Sequence, residues 1–166
     1  MHYINANSDK GFYKTAGAGS TTDYCAQLSY VELATASLIE FPESKVDAEA
    51  LLATNPDNVI IGGRYQHVIY DDIFAAAEWE HISAVRSGNV FKIPMSLSAW
   101  NRYSLETALL IPWTTAVVYP EHYEFDAVAE TIEFYKTFMG YELSEEQAEY
   151  MIAGLTPDGE KEIASR

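Results

Sequence analysis

The sequence predicts an α/β fold: a three-layer helix–sheet–helix lobe built on a mainly parallel central sheet. Two observations carry this expectation. Short buried strand candidates, "HYIN", "NVII" and "NVFKI", alternate with helical stretches along the chain. Those stretches place apolar residues at three- and four-residue spacings, the period of a helix face. The length, 166 residues, suits one compact domain, which buries about 70% of its unfolded surface. Residues 1–155 are assigned to that domain and 156–166 to a polar tail.

"HYIN" (2–5) is the first strand, followed by a glycine-bearing loop up to residue 20. Thr21 or Thr22 caps a helix through about Leu28, with Asp23 favourable in its first turn. Residues 30–44 are ambiguous. Asp47 to Thr54 reads as a short helix with Val46, Ala50 and Leu51 on one side; "NPD" then turns the chain. "NVII" is a buried strand ended by Gly62 and Gly63. Residues 64–88 form a helical region whose apolar face is Val68, Ile69, Ile73, Phe74 and Ala77, closed by Gly88 as C-cap. "NVFKI" is the next strand. "SLETALLIPWTTAVVY" is a helix with Leu105, Leu109 and Trp113 on one face. Pro112 bends it by removing the hydrogen bond to the Ala108 carbonyl, and Pro120 ends it. "FDAVAETIEFYKTFMGY" is amphipathic, with Val128, Ile132, Tyr135 and Met139 in register. Ser144 and Gln147 fit a capping box that opens a last helix.

Acidic residues outnumber basic ones 25 to 10, a formal charge of −15 that argues against nucleic acid and anionic membrane surfaces as partners. The single cysteine, Cys25, excludes an internal disulfide and any multi-cysteine metal site. In "TTDYCAQL" it reads as a buried apolar thiol on a helix, the alternative being a reactive nucleophile. No apolar run approaches the ~18 residues of a membrane span, and "MHYINANSDKGFYK" has no charged-then-apolar leader. A G-x-S-x-G elbow and an H-E-x-x-H pair are both missing, and "GAGSTT" is neither a Walker motif nor G-x-G-x-x-G. A binding module therefore leads, with no catalytic residues and no cofactor implied. The alternative is a small chelatase-like α/β enzyme acting at the sheet edge.

Four segments in this order carry a family resemblance: "EALLATNPDNVIIGG", "EWEHISAVRSGNVFKIP", "LLIPWTTAVVYPEHY" and "FYKTFMGYELSEEQAEYMIAGL". Together, over about residues 2–154, they resemble the C-terminal lobe of class III (TroA-like) ABC-transporter substrate-binding proteins. That family serves ferric siderophores, haem, cobalamin and some oxyanions, held between two α/β lobes joined by a long helix. The resemblance implies a metal-chelate or oxyanion ligand and an ABC permease as partners. It also implies an N-terminal lobe, linking helix and leader outside this chain, and an extracytoplasmic location, periplasmic or as a lipoprotein. It gives Glu49, in "VDAEALL", the role of a permease-docking carboxylate. The plainer reading of Glu49 is a solvated first-turn acid facing the helix dipole.

In parallel sheets, ligands sit outside the carboxyl ends of the strands. Three loops qualify: 6–20, 62–67 and 94–103. In the last, Trp100 offers a flat apolar face and Arg102 pairs with an anionic group, with Asn101 between them. The competing reading packs Trp100 on a helix and lets Arg102 neutralise nearby acids. Arg64 and Tyr65 follow the paired glycines, with His67 beyond, and are either ligand contacts or a cap on the sheet edge. The first loop adds Lys10, Phe12, Tyr13 and Lys14 as a cleft rim. His81 with Glu78 and Glu80, and His122 with Glu121 and Glu124, fall short of the four donors a closed metal site needs; no metal is assigned.

Overall fold

The computed structural model describes residues 1–6, 11–96, 98–102 and 104–161. The chain divides into two compact units, Met1–Lys92 and Ile93–Arg166.

The first unit contains a three-stranded parallel sheet, β1 (His2–Asn5), β2 (Val59–Gly62) and β3 (Val90–Lys92), in that spatial order. His2 lies opposite Val59, and Val59 opposite Val90. The central position of β2 explains its composition: all four residues are buried, so the run is apolar without alternation. Its Val59 and Ile61 join Ile4, Leu51, Ile69, Ile73, Trp79 and Val90 in one core.

Around the sheet run α1 (Thr21–Leu28), α2 (Ala48–Ala53), α3 (Gln66–Ala75) and α4 (Ser83–Ser87). The cap of α1 is Ser20, not Thr21 or Thr22: its Oγ accepts from the Asp23 amide at 3.1 Å. Asp47 caps α2 by accepting from the Ala50 amide at 3.0 Å. The long helical region expected over 64–88 is broken. Ala76 is extended (ψ 114°), Ala77–Trp79 is a single 3₁₀ turn, and Ile82 is extended before α4. The break lets Trp79 turn fully inward, where it stacks on His2 at 5.8 Å and meets Phe12 edge-on at 5.6 Å. The buried face of α3 is also narrower than expected. Ile69 and Ile73 are buried, whereas Val68, Phe74 and Ala77 are exposed. Gly88 does close α4, in the left-handed conformation at φ 73°.

The second unit is helical: α5 (Thr107–Val118), α6 (Ala127–Phe134) and α7 (Glu145–Ile152). α5 continues across Pro112 and buries Leu109, Leu110 and Trp113; Leu105 precedes the helix and is exposed. α6 passes into one π turn, Tyr135–Met139, which ends at Gly140 in the left-handed region. Of the expected apolar stripe, Tyr135 is buried, Val128 and Ile132 are half-buried, and Met139 is exposed. The capping box forms as expected: the Gln147 amide donates to Ser144 Oγ at 3.1 Å, and the Ser144 amide to the Gln147 side chain at 3.0 Å.

Candidate functional site

In a parallel sheet every strand delivers its carboxyl end to the same edge. β1 and β2 end side by side there, Asn5 opposite Gly62. Their loops are stitched together: the Ala6 amide donates to the Gly62 carbonyl at 2.8 Å, and the Tyr65 amide to the Ala6 carbonyl at 3.0 Å. Gly63, at φ 124°, makes the turn that side-chain-bearing residues resist. Arg64 follows it, exposed, and Tyr65 is half-buried against the core at the start of α3. The first loop returns alongside β1, the Lys14 carbonyl accepting from the Asn5 amide at 2.8 Å. Lys14 is half-buried, and the Tyr13 ring leans on Trp79 at 6.3 Å as part of the core wall. Lys10 lies outside the described residues. In this unit the edge therefore gathers Arg64 and Tyr65 beside Ala6, and draws Tyr13 into packing.

The segment after β3 belongs to the second unit and closes on itself. Met95 bridges Ala99, the Ser96 amide donates to the Ser98 carbonyl at 3.0 Å, and the Trp100 amide to the Pro94 carbonyl at 3.1 Å. Thr107 Oγ1 ties the Trp100 carbonyl to the start of α5 at 2.8 Å. This turn sinks Trp100, whose side chain is 0% exposed. The indole anchors the turn instead of presenting a free flat face. Asn101 is half-buried and Arg102 exposed, so within Trp100–Arg102 the solvent-facing chemistry is the guanidinium.

Glu49 stands exposed in the first turn of α2. Cys25 is a free, half-buried thiol whose pKa burial pushes up, which disfavours the nucleophilic thiolate. Among the described residues no group of three His, Cys, Asp or Glu side chains is placed to hold a metal ion. One cluster was not legible in the sequence. Glu106 is 7% exposed, and its Oε1 accepts from Ser96 Oγ at 2.9 Å and from Tyr135 OH at 2.7 Å. These three residues are separated by ten and twenty-nine positions, so only the fold brings them together.

A sequence model of the family described as "periplasmic binding protein" matches residues 2–97. The chain belongs to that family. Among solved structures, it resembles a periplasmic solute-binding protein from Veillonella parvula, at 25% identity and a TM-score of 0.72. The match covers 90% of this chain and 45% of that one. The molybdate periplasmic binding protein MolA of Haemophilus influenzae, solved with molybdate, is 25% identical with a TM-score of 0.69, over 86% of this chain and 43% of its own. An ABC-transporter solute-binding protein from Sulfurospirillum deleyianum shares the fold at 20% identity and a TM-score of 0.74, over 91% and 47%. The chain thus spans under half the length of each of these structures, the extent of a single lobe of a class III, TroA-like protein. Comparison with curated protein sequences finds no match.

Proposed function

We propose that this chain is the C-terminal lobe of an extracytoplasmic solute-binding protein that feeds an ABC importer. On this reading it performs no chemistry of its own. Its ligand is an anionic metal chelate, such as a ferric siderophore, or an oxyanion. The observation that carries the reading is the family match over residues 2–97, which spans the sheet and the loops after its first two strands. The choice of an anion is supported by Arg64 and Arg102, two exposed guanidiniums on post-strand segments of a strongly acidic chain. The molybdate bound by the 25% identical Haemophilus protein supports the oxyanion class. Tyr65, Lys14 and Asn101 are proposed as flanking contacts, while Trp100 and Tyr13 act behind them by fixing the loops. Glu49 is proposed to meet basic residues of the permease, where a protruding carboxylate orients docking more than it strengthens it.

Titration of the two-lobed protein with molybdate, haem, cobalamin and ferric siderophores tests this reading. One of them should bind saturably and tightly, and this chain alone only weakly. Arg64→Ala and Arg102→Ala, made singly, should each weaken binding more than about tenfold, or ~1.4 kcal/mol. Glu49→Arg should lower transport at unchanged ligand affinity. Submicromolar binding by the 166-residue chain alone, or unchanged affinity in both arginine variants, would refute the assignment.

A further inference from the structure

The second unit contains a cavity of about 590 Å³, within the roughly 300–1,000 Å³ of small-molecule sites. It is built around Glu106. The carboxylate is held by two hydroxyls, Ser96 and Tyr135, which give it hydrogen bonds but no opposite charge. Burial works against ionisation of Glu106, yet hydrogen bonds from Ser104, Tyr135, its own backbone and Ser96 outweigh it and hold the pKa below the ordinary carboxylate value. The group is therefore a buried anion at neutral pH, and among the described residues none lining the cavity is Lys, Arg or His. Its hydrogen bonds stabilise the charge in place, and an anion held ready in a cavity attracts a group of opposite sign.

The rest of the lining says what kind of group would pair with it. Leu143, which is buried, and Met139 and Tyr141, 39% and 52% exposed, supply apolar surface to the lining. Asp158 and Glu160, in the turn that the Thr156 amide closes on the Glu160 carbonyl at 2.8 Å, add two more carboxylates. Tyr135 and Met139 both come from the π turn, a helix irregularity that recurs at functional sites. Such walls suit an apolar body and repel an anion. They do not suit a bare metal ion, since no three-donor group exists among the described residues.

We propose that this cavity is a binding site for a small organic cation, an ammonium or guanidinium group on an apolar body, with Glu106 as its counter-ion. The site takes the charge opposite to that of the transported ligand proposed above and stands independently of that reading.

The test titrates the 166-residue chain with phenethylammonium, with its neutral analogue phenethyl alcohol and with the anion hydrocinnamate, following the Met139 and Leu143 methyl groups by NMR. The cation should shift both methyls saturably, with a Kd in the millimolar range or tighter. The alcohol should bind about tenfold more weakly, and the anion should leave the methyls unmoved. Glu106→Gln, which keeps an acceptor for the two hydroxyls, should erase the preference for the cation. Asp158→Asn combined with Glu160→Gln, at the exposed rim, should reduce it in a folded protein even if the first variant does not fold. Equal binding of cation and alcohol, no saturation by the cation, or a cation preference undiminished in both variants would overturn the proposal.

Discussion

Lowering the pH should destabilise the fold through His2. Its ring is completely buried at the start of β1, stacked on Trp79. Nε2 lies 3.1 Å from the Phe12 carbonyl, so the neutral tautomer that donates from Nε2 satisfies that contact. Nδ1 is buried with no hydrogen-bond partner among the described residues, so a proton added there would be an N–H with no acceptor. Burial accordingly depresses the pKa from 6.5 to about 4, against a smaller opposing effect of the Phe12 carbonyl. The sign follows from linkage. Between pH 6.5 and 4 the unfolded chain binds the proton and the folded one does not, so stability falls as pH falls through that window. At ~1.4 kcal/mol per pKa unit, the full loss is about 3 kcal/mol, and about 2 kcal/mol of it should appear between pH 7 and pH 5. Urea unfolding of the wild type and of His2→Gln at both pH values isolates this contribution, since glutamine donates to the same carbonyl but does not titrate. NMR titration of the imidazole gives the midpoint directly. A midpoint near 6.5, or parallel pH dependence in the two proteins, would refute the reasoning.

Two further substitutions test local arguments. Gly17→Ala places a Cβ 2.4 Å from the Ile39 carbonyl oxygen, which also accepts the Ala18 amide at 2.9 Å. Because backbone and not a flexible side chain must move, a loss of about 1–3 kcal/mol is expected from the urea midpoint. Ser144→Ala removes one half of the capping box of α7 and should cost about 1 kcal/mol, with reduced amide-exchange protection confined to the first turn of that helix.

The parts of this fold legible in the sequence are those decided locally. The β2 run, the short α2 helix, the Ser144 box and the left-handed Gly88 each depend on residues within a few positions of one another. The break between α3 and α4 is different. "FAAAEWEHIS" contains no proline or glycine, and its alanines favour continued helix. The chain opens there because Trp79 must reach His2 and Phe12, residues more than sixty positions away. The same holds at Trp100. Its position in a loop suggested an exposed ring, but the Met95–Ala99 bridge and the Pro94 carbonyl turn it inward, a contest between packing and exposure that loop position cannot decide. Glu106 was missed because a single acid before a helix carries no signal of its own. Its significance arises from Ser96 and Tyr135, delivered by other elements.

The charge balance sharpens what the arginines must accomplish if the ligand is an anion. A chain with 25 acids and 10 bases repels such a ligand at long range, but that field decays within about 8 Å at physiological ionic strength. Inside that distance the geometry of individual contacts dominates. A planar guanidinium that grips an oxyanion bidentately gains most of its strength there, whereas a diffuse positive patch would have helped mainly from afar. Selectivity would then reside in a few short contacts at Arg64 and Arg102, not in overall charge. The acidic surface still has a use on this reading, because it discourages anions that cannot make those contacts. The Glu106 cavity follows the same physics with the signs exchanged: the cation it is proposed to hold is favoured by the surrounding field and discriminated by the buried Glu106 carboxylate.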